Sequence, residues 1–115
     1  DAHAAGMEWG RQEARERDLH DTSSADARRA VVSILDELGF APAANQRRTT
    51  VHLTNCPLLD VAAHYPEVIC QVHRGLIAGL LEALGKDPKG ADLRPFSDPG
   101  SCRLHLDAAR AAQRS

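Results

Sequence analysis

The residues with the clearest chemical potential are three cysteines and one histidine: Cys56, Cys70, His73 and Cys102. Zinc takes thiolate and imidazole ligands in closed tetrahedral sites, and cysteine thiolates also hold iron–sulfur clusters. The four residues form the pattern Cys-x13-Cys-x2-His-x28-Cys. We therefore predict one metal site with these four ligands, with zinc as the first choice and an iron–sulfur cluster as the alternative.

Cys70 and His73 have a spacing that suits a shared site, because residues three apart lie one above the other on a helix. Cys56 falls in the loop before that predicted helix, and Cys102 is expected to point inward from the last strand. The sequence lacks the doubled Cys-x-x-Cys of a zinc ribbon. Cysteines are also often buried without a chemical role, so three reduced core cysteines remain a second interpretation.

The other histidines fit such a site less well. Four strand residues, roughly 13 Å, separate His52 from Cys56, and His105 faces away from the core if its strand is regular. His64, in the loop before the long helix, is the next candidate ligand. Two further histidines have no partners in sequence and are expected to be solvated: His3 and His20.

Charge and composition exclude several functional classes. The 115 residues carry a formal net charge of −2 with a pI near 6.3 and show no basic cluster with interleaved aromatics, so this stretch is not expected to bind nucleic acid itself. There is no apolar run of membrane-spanning length and no signal-peptide pattern. An odd number of cysteines argues against a closed disulfide framework. These features favour a cytoplasmic protein without membrane contact.

Two long amphipathic helices are expected to carry the core. The first spans 24–38, with Ser23 as N-cap and Gly39 past its end, and the second spans 66–84 and stops at Gly85. A polar helix over residues 4–19 precedes them, and it is either a connecting or dimerising segment or a solvated helix whose two glycines fray its start. We divide the chain into an N-terminal helix (1–20), an effector domain (21–107) and a tail (108–115).

Strands are predicted between and after the helices. Alternating apolar and polar residues indicate one over 48–55, and a proline-containing turn joins two more over 91–96 and 101–107. Residues 40–46 allow a short fourth strand, and residues 58–63 a single helical turn. The expected fold class is α+β, with two long helices packed on one face of a small, mostly antiparallel sheet. Because only four residues are aromatic, we expect an aliphatic core.

Five segments together resemble the C-terminal effector domain of ArsR-type winged-helix transcriptional regulators. Those segments are 5–11 (AGMEWGR), 35–42 (LDELGFAP), 53–58 (LTNCPL), 68–76 (VICQVHRGL) and 102–104 (CRL). Similar cysteine arrangements occur in repressors of iron–sulfur cluster assembly operons, whose cluster controls DNA binding. The resemblance implies that Cys56, Cys70 and Cys102 are ligands. It also implies a dimer that contacts DNA only through a winged helix absent from this chain.

Three functional hypotheses follow from these observations. The first is a metal- or cluster-binding sensor domain of a transcriptional regulator. The second is a regulatory domain with a purely structural zinc, in which an organic effector occupies a pocket between helices and sheet. The chain is also similar to the vinyl-reductase-like domains, which bind small molecules. The third, a zinc hydrolase, needs a general base. Glu67 is the only carboxylate close in sequence to Cys70 and His73, and no His-Glu-x-x-His motif occurs. A non-enzymatic role is therefore favoured.

Overall fold

The computed structural model describes residues 1–55, 64–98 and 101–107. This part of the chain contains three helices, which are α1 (Ala2–Glu16), α2 (Ser24–Glu37) and α3 (Pro66–Ala83). It also contains four strands, which are β1 (Pro42–Ala44), β2 (Thr50–Leu53), β3 (Ala91–Asp98) and β4 (Ser101–Leu106). The predicted α+β class is confirmed. The predicted helical turn at 58–63 and the tail at 108–115 lie outside the described residues.

The strands form one antiparallel sheet in the order β1-β2-β4-β3. In the register of its central pair, Val51 lies opposite Leu104 and Leu53 opposite Cys102. Side chains alternate between the two faces of a sheet, and the buried Val51, Leu53 and Leu104 share the face that the helices cover. Cys102 therefore lies on the inward face, as the alternation predicted, whereas His52, Arg103 and His105 occupy the outer face.

Local signals set the ends of α2 and α3 close to where the sequence predicted them. The Ser23 hydroxyl accepts the backbone N–H of Asp26 at 3.1 Å, which caps the start of α2. Pro66 occupies the first turn of α3, where a missing N–H costs nothing. Gly39 and Gly85 follow the two helices at φ values of 97° and 74°, in the left-handed region that favours glycine.

Helix α1 packs directly on α3 through glycines from both helices. The pairs Gly6 with Gly75 and Gly10 with Gly79 bring the two backbones together, and their order shows that the helices run parallel. A Cβ added at Gly75 would collide with the carbonyl oxygen of His3 and lie 2.9 Å from the Gly6 Cα. The two glycines of α1 therefore form a packing face, and the alternative of a solvated, frayed helix is wrong.

The core between helices and sheet is aliphatic, as its composition predicted. Leucine, isoleucine and valine side chains from α2, α3 and three strands fill it, and the ring of Phe40 is buried among them. One charged residue, Lys86, is also buried at 2 % exposure after the end of α3. Its ammonium lies 3.6 Å from a carboxylate oxygen of Asp21. This ion pair holds the α1–α2 connection against the carboxyl end of α3.

Candidate metal site

His73, the buried histidine of the predicted site, lies in the second turn of α3. Its side chain is only 4 % exposed, and its ring meets the buried ring of Phe40 edge to face, with centroids 4.9 Å apart. The ring nitrogen Nε2 is buried and has no hydrogen-bond partner within the described residues. Most buried polar atoms in proteins are paired. An orphaned nitrogen of this kind therefore marks a position where a ligand can bind.

Burial also fixes the protonation state of this histidine. Because desolvation penalises the charged imidazolium, the pKa of His73 is lowered from 6.5 to about 4. At neutral pH the imidazole is therefore neutral. The neutral form is the one that carries a lone pair for a metal ion.

Cys70 lies one helical turn before His73 and is partly buried. The prediction that both residues belong to one helix is confirmed, since α3 spans Pro66–Ala83. Glu67, the carboxylate considered as a general base, lies in the first turn of α3 and is exposed.

Cys102 lies at the start of β4 on the inward face, opposite Leu53 at the end of β2. The chain beyond Leu53 is anchored at this end of the sheet, where the Asn55 N–H donates to the Phe40 carbonyl at 3.1 Å. Phe40 therefore connects His73 with the residue that immediately precedes Cys56. Cys56 itself lies outside the described residues.

The candidate ligands that the structure describes do not form a complete metal-binding group. Across residues 1–55, 64–98 and 101–107, no three cysteine, histidine or acidic side chains are grouped so that they could hold a metal ion. Cys70, His73 and Cys102 belong to elements that pack on the same core, but they do not form such a group. The four-ligand site with Cys56 stays a prediction.

The remaining histidines take the positions that their sequence contexts suggest. His52 and His105 lie on the outer face of the sheet, on the opposite side from Cys102. His64 is exposed and its ring is tilted against Tyr65, with centroids 6.4 Å apart. The other two histidines are exposed as well: His3 and His20.

Sequence reasoning missed the part that Phe40 plays. Phe40 stands 33 positions before His73 in the chain, so no helical or strand periodicity links the two residues. Its apolar character and its place after the α2 terminator Gly39 indicated burial but not its neighbour. The contact arises only when α2, β1 and α3 pack together.

No protein-family model, curated protein or solved structure matches the chain. The described part of the chain contains no helix whose length and hydropathy would let it span a bilayer.

Proposed function

We propose that this chain is the metal- or cluster-binding effector domain of a transcriptional regulator. The observation that carries the proposal is the buried Nε2 of His73, which has no partner among the described residues. A buried polar atom left unpaired costs about 1–3 kcal/mol. A metal ion bound at Nε2 would satisfy this nitrogen.

The chemistry of the surrounding donors supports zinc as the first choice. The neutral imidazole of His73 and the thiols of Cys70, Cys102 and Cys56 make up a Cys3His set, which is a common structural zinc set. A cluster held by the cysteines is the alternative. The bound group would link α3, β4 and the chain that follows β2.

Such a link gives the domain a way to act as a sensor. Gain, loss or oxidation of the bound group would favour one of two arrangements of these elements, and a dimer would transmit the change to a DNA-binding winged helix outside this chain. The dimer, the DNA contact and the change between two arrangements are all parts of this proposal.

The test is metal analysis of protein purified without oxygen. We expect close to one zinc per chain and no visible colour, or iron and sulfide with a brown colour if a cluster is bound. Replacement of Cys102 or Cys70 by Ser, or of His73 by Gln, is expected to lower the metal content by at least about tenfold. The matched control is His105→Gln, a histidine on the outer face of the same sheet, which is expected to retain full metal content.

Two results would contradict the proposal. One is protein free of metal that also fails to bind added Zn²⁺ or Co²⁺ at micromolar concentrations. The other is equal metal content in the control and in the ligand variants. Circular dichroism after chelation separates a sensor from a structural zinc, since a structural zinc domain unfolds when its metal is removed.

A further inference from the structure

A second candidate binding site lies at the end of the sheet where β3 begins, whereas Cys102 lies at the opposite end, at the start of β4. A cavity of about 220 Å³ opens between the start of α1, the middle of α3 and the start of β3. Its floor is apolar and consists of Ile77, Ala78 and Leu93, which are buried. Three basic side chains line it as well: His3, Arg74 and Lys89.

The basic side chains of this cavity have no acidic neighbour in its described lining. Among the residues that the structure describes, no aspartate or glutamate lines it. Within the described part of the chain, Arg74 and Lys89 form no ion pair, whereas Arg11, Arg17 and Arg29 each pair with a carboxylate. The acid nearest to Lys89 in sequence, Asp87, accepts the backbone N–H of Lys89 at 2.9 Å. Two permanent positive charges therefore face the cavity without a counter-ion from those residues.

Arg74 is held in place for binding. One of its terminal nitrogens donates to the Leu93 carbonyl of β3 at 3.0 Å, a bond that bridges α3 and the sheet. The guanidinium carries five N–H donors in a rigid fork, so four remain for a ligand. A pre-positioned guanidinium binds a carboxylate through paired, charge-assisted hydrogen bonds.

We propose that this cavity binds a small organic carboxylate with a compact apolar body. Arg74 and Lys89 take the carboxylate, and the apolar group lies on Ile77, Ala78 and Leu93. At roughly 30 Å³ per water molecule, the cavity holds the volume of about seven waters, which suits an aromatic or branched aliphatic acid. The inference stands apart from the metal site, because it uses none of the candidate ligands.

Benzoate is the probe, followed by chemical shifts in ¹H–¹⁵N NMR spectra of the intact chain. We expect saturable shifts of the amides of Ala78, Ala91 and Leu93 in the millimolar range or below. Acetate lacks the apolar body and benzyl alcohol lacks the charge, so each is expected to bind at least about tenfold more weakly.

Variants separate the two halves of the proposed site. The double change Arg74→Gln and Lys89→Gln is expected to weaken benzoate binding by at least about tenfold, while Arg29→Gln, on the surface of α2, leaves it unchanged. Ala91→Leu keeps both charges but fills the cavity, and is expected to abolish binding. Thermal unfolding of each variant confirms that it is folded.

The proposal is overturned if benzoate produces no saturable shifts, if benzyl alcohol binds equally well, or if the double variant and Arg29→Gln bind alike. Loss of the metal site would not mimic these results, since metal content is measured independently on the same samples.

Discussion

His73 packs in the core and is also a ligand of the proposed metal site. Its ring contributes apolar surface against Phe40, yet its Nε2 remains a buried acceptor or donor without a partner in the described chain. Leucine or phenylalanine would satisfy the packing alone. The unpaired Nε2 is the feature of His73 that packing leaves unused and that the proposed metal site would use.

The lowered pKa of His73 predicts a pH dependence for protein prepared without metal. The unfolded chain takes up a proton near pH 6.5, whereas the folded chain does so near pH 4. The stability that the neutral, buried His73 gives the folded chain is therefore fully present above pH 6.5, and it is lost as the pH falls towards 4. Between pH 7.5 and pH 5 this histidine should lower the free energy of unfolding by about 2 kcal/mol.

This difference is measured by urea unfolding, at both pH values, of the parent protein after a chelator has removed its metal and of the His73→Leu variant. Carboxylates titrate in both proteins, so only the change in their difference reports on His73. His20→Leu is the control, because His20 is exposed, and it should follow the parent protein. Parallel pH profiles for the parent and His73→Leu would contradict the assignment.

Lys86 gives a second prediction at the residue scale. Its ammonium is buried and lies beside Asp21, so Asp21→Ala leaves a buried charge without its partner. We expect this change to lower the free energy of unfolding by about 1–3 kcal/mol. Lys86→Met removes the charge and keeps the length, and is expected to cost less. If urea unfolding shows that Lys86→Met lowers the free energy of unfolding more than Asp21→Ala does, the ion pair itself stabilises the protein.

At the scale of elements, the contact between α1 and α3 decides the role of the N-terminal helix. Gly6, Gly10, Gly75 and Gly79 allow the two backbones to touch. An alanine at an unobstructed helical position would stabilise the helix by up to about 1 kcal/mol. Here the obstacle is backbone on the facing helix, which cannot rotate away as a side chain can.

Gly75→Ala is accordingly expected to destabilise the protein by about 2 kcal/mol or more, because the helices must separate. Ala5→Leu, which adds more bulk at an exposed position of α1, should change stability by less than about 0.5 kcal/mol. Denaturant unfolding followed by circular dichroism compares both. A Gly75→Ala protein as stable as the parent would show that the helices are not in this close contact.

At the scale of the whole molecule, α1 belongs to the same packed body as the rest of the described chain. Its residues Gly6, Gly10 and Ala14 are buried, and Arg11 on its surface bonds Glu82 of α3 at 3.1 Å. The division of the chain into a connecting or dimerising helix (1–20) and an effector domain (21–107) stays a prediction. Any dimer contact of α1 must use the face turned away from α3.

Removal of residues 1–16 tests this description. The shortened chain would expose the face of α3 that carries Gly75 and Gly79, on which α1 packs. We expect the cooperative thermal transition to be lost or its midpoint to fall by more than 10 °C, on the order of a few kcal/mol of lost packing. An unchanged transition would support an independent effector domain that begins after α1.

Sequence alone determined the elements of this protein, because their signals are local. Ser23, Gly39, Pro66 and Gly85 set helix ends through caps and φ preferences that depend on immediate neighbours. The alternation of Val51, Leu53, Cys102 and Leu104 set the inward face of the sheet in the same way. The candidate ligands Cys70 and His73 could be assigned to one helix for this reason.

Only the tertiary structure decided what those elements touch. Gly6 and Gly10 are spaced four apart in the sequence, as are Gly75 and Gly79, but this spacing does not say that the two pairs meet. Phe40 likewise gives no sequence signal that it lies against His73, because periodicity carries no information across such distances in the chain. The cavity beside Arg74 likewise exists only once α1, α3 and β3 are packed. Long-range packing, which depends on the shapes of all the elements together, therefore decided which side chains meet.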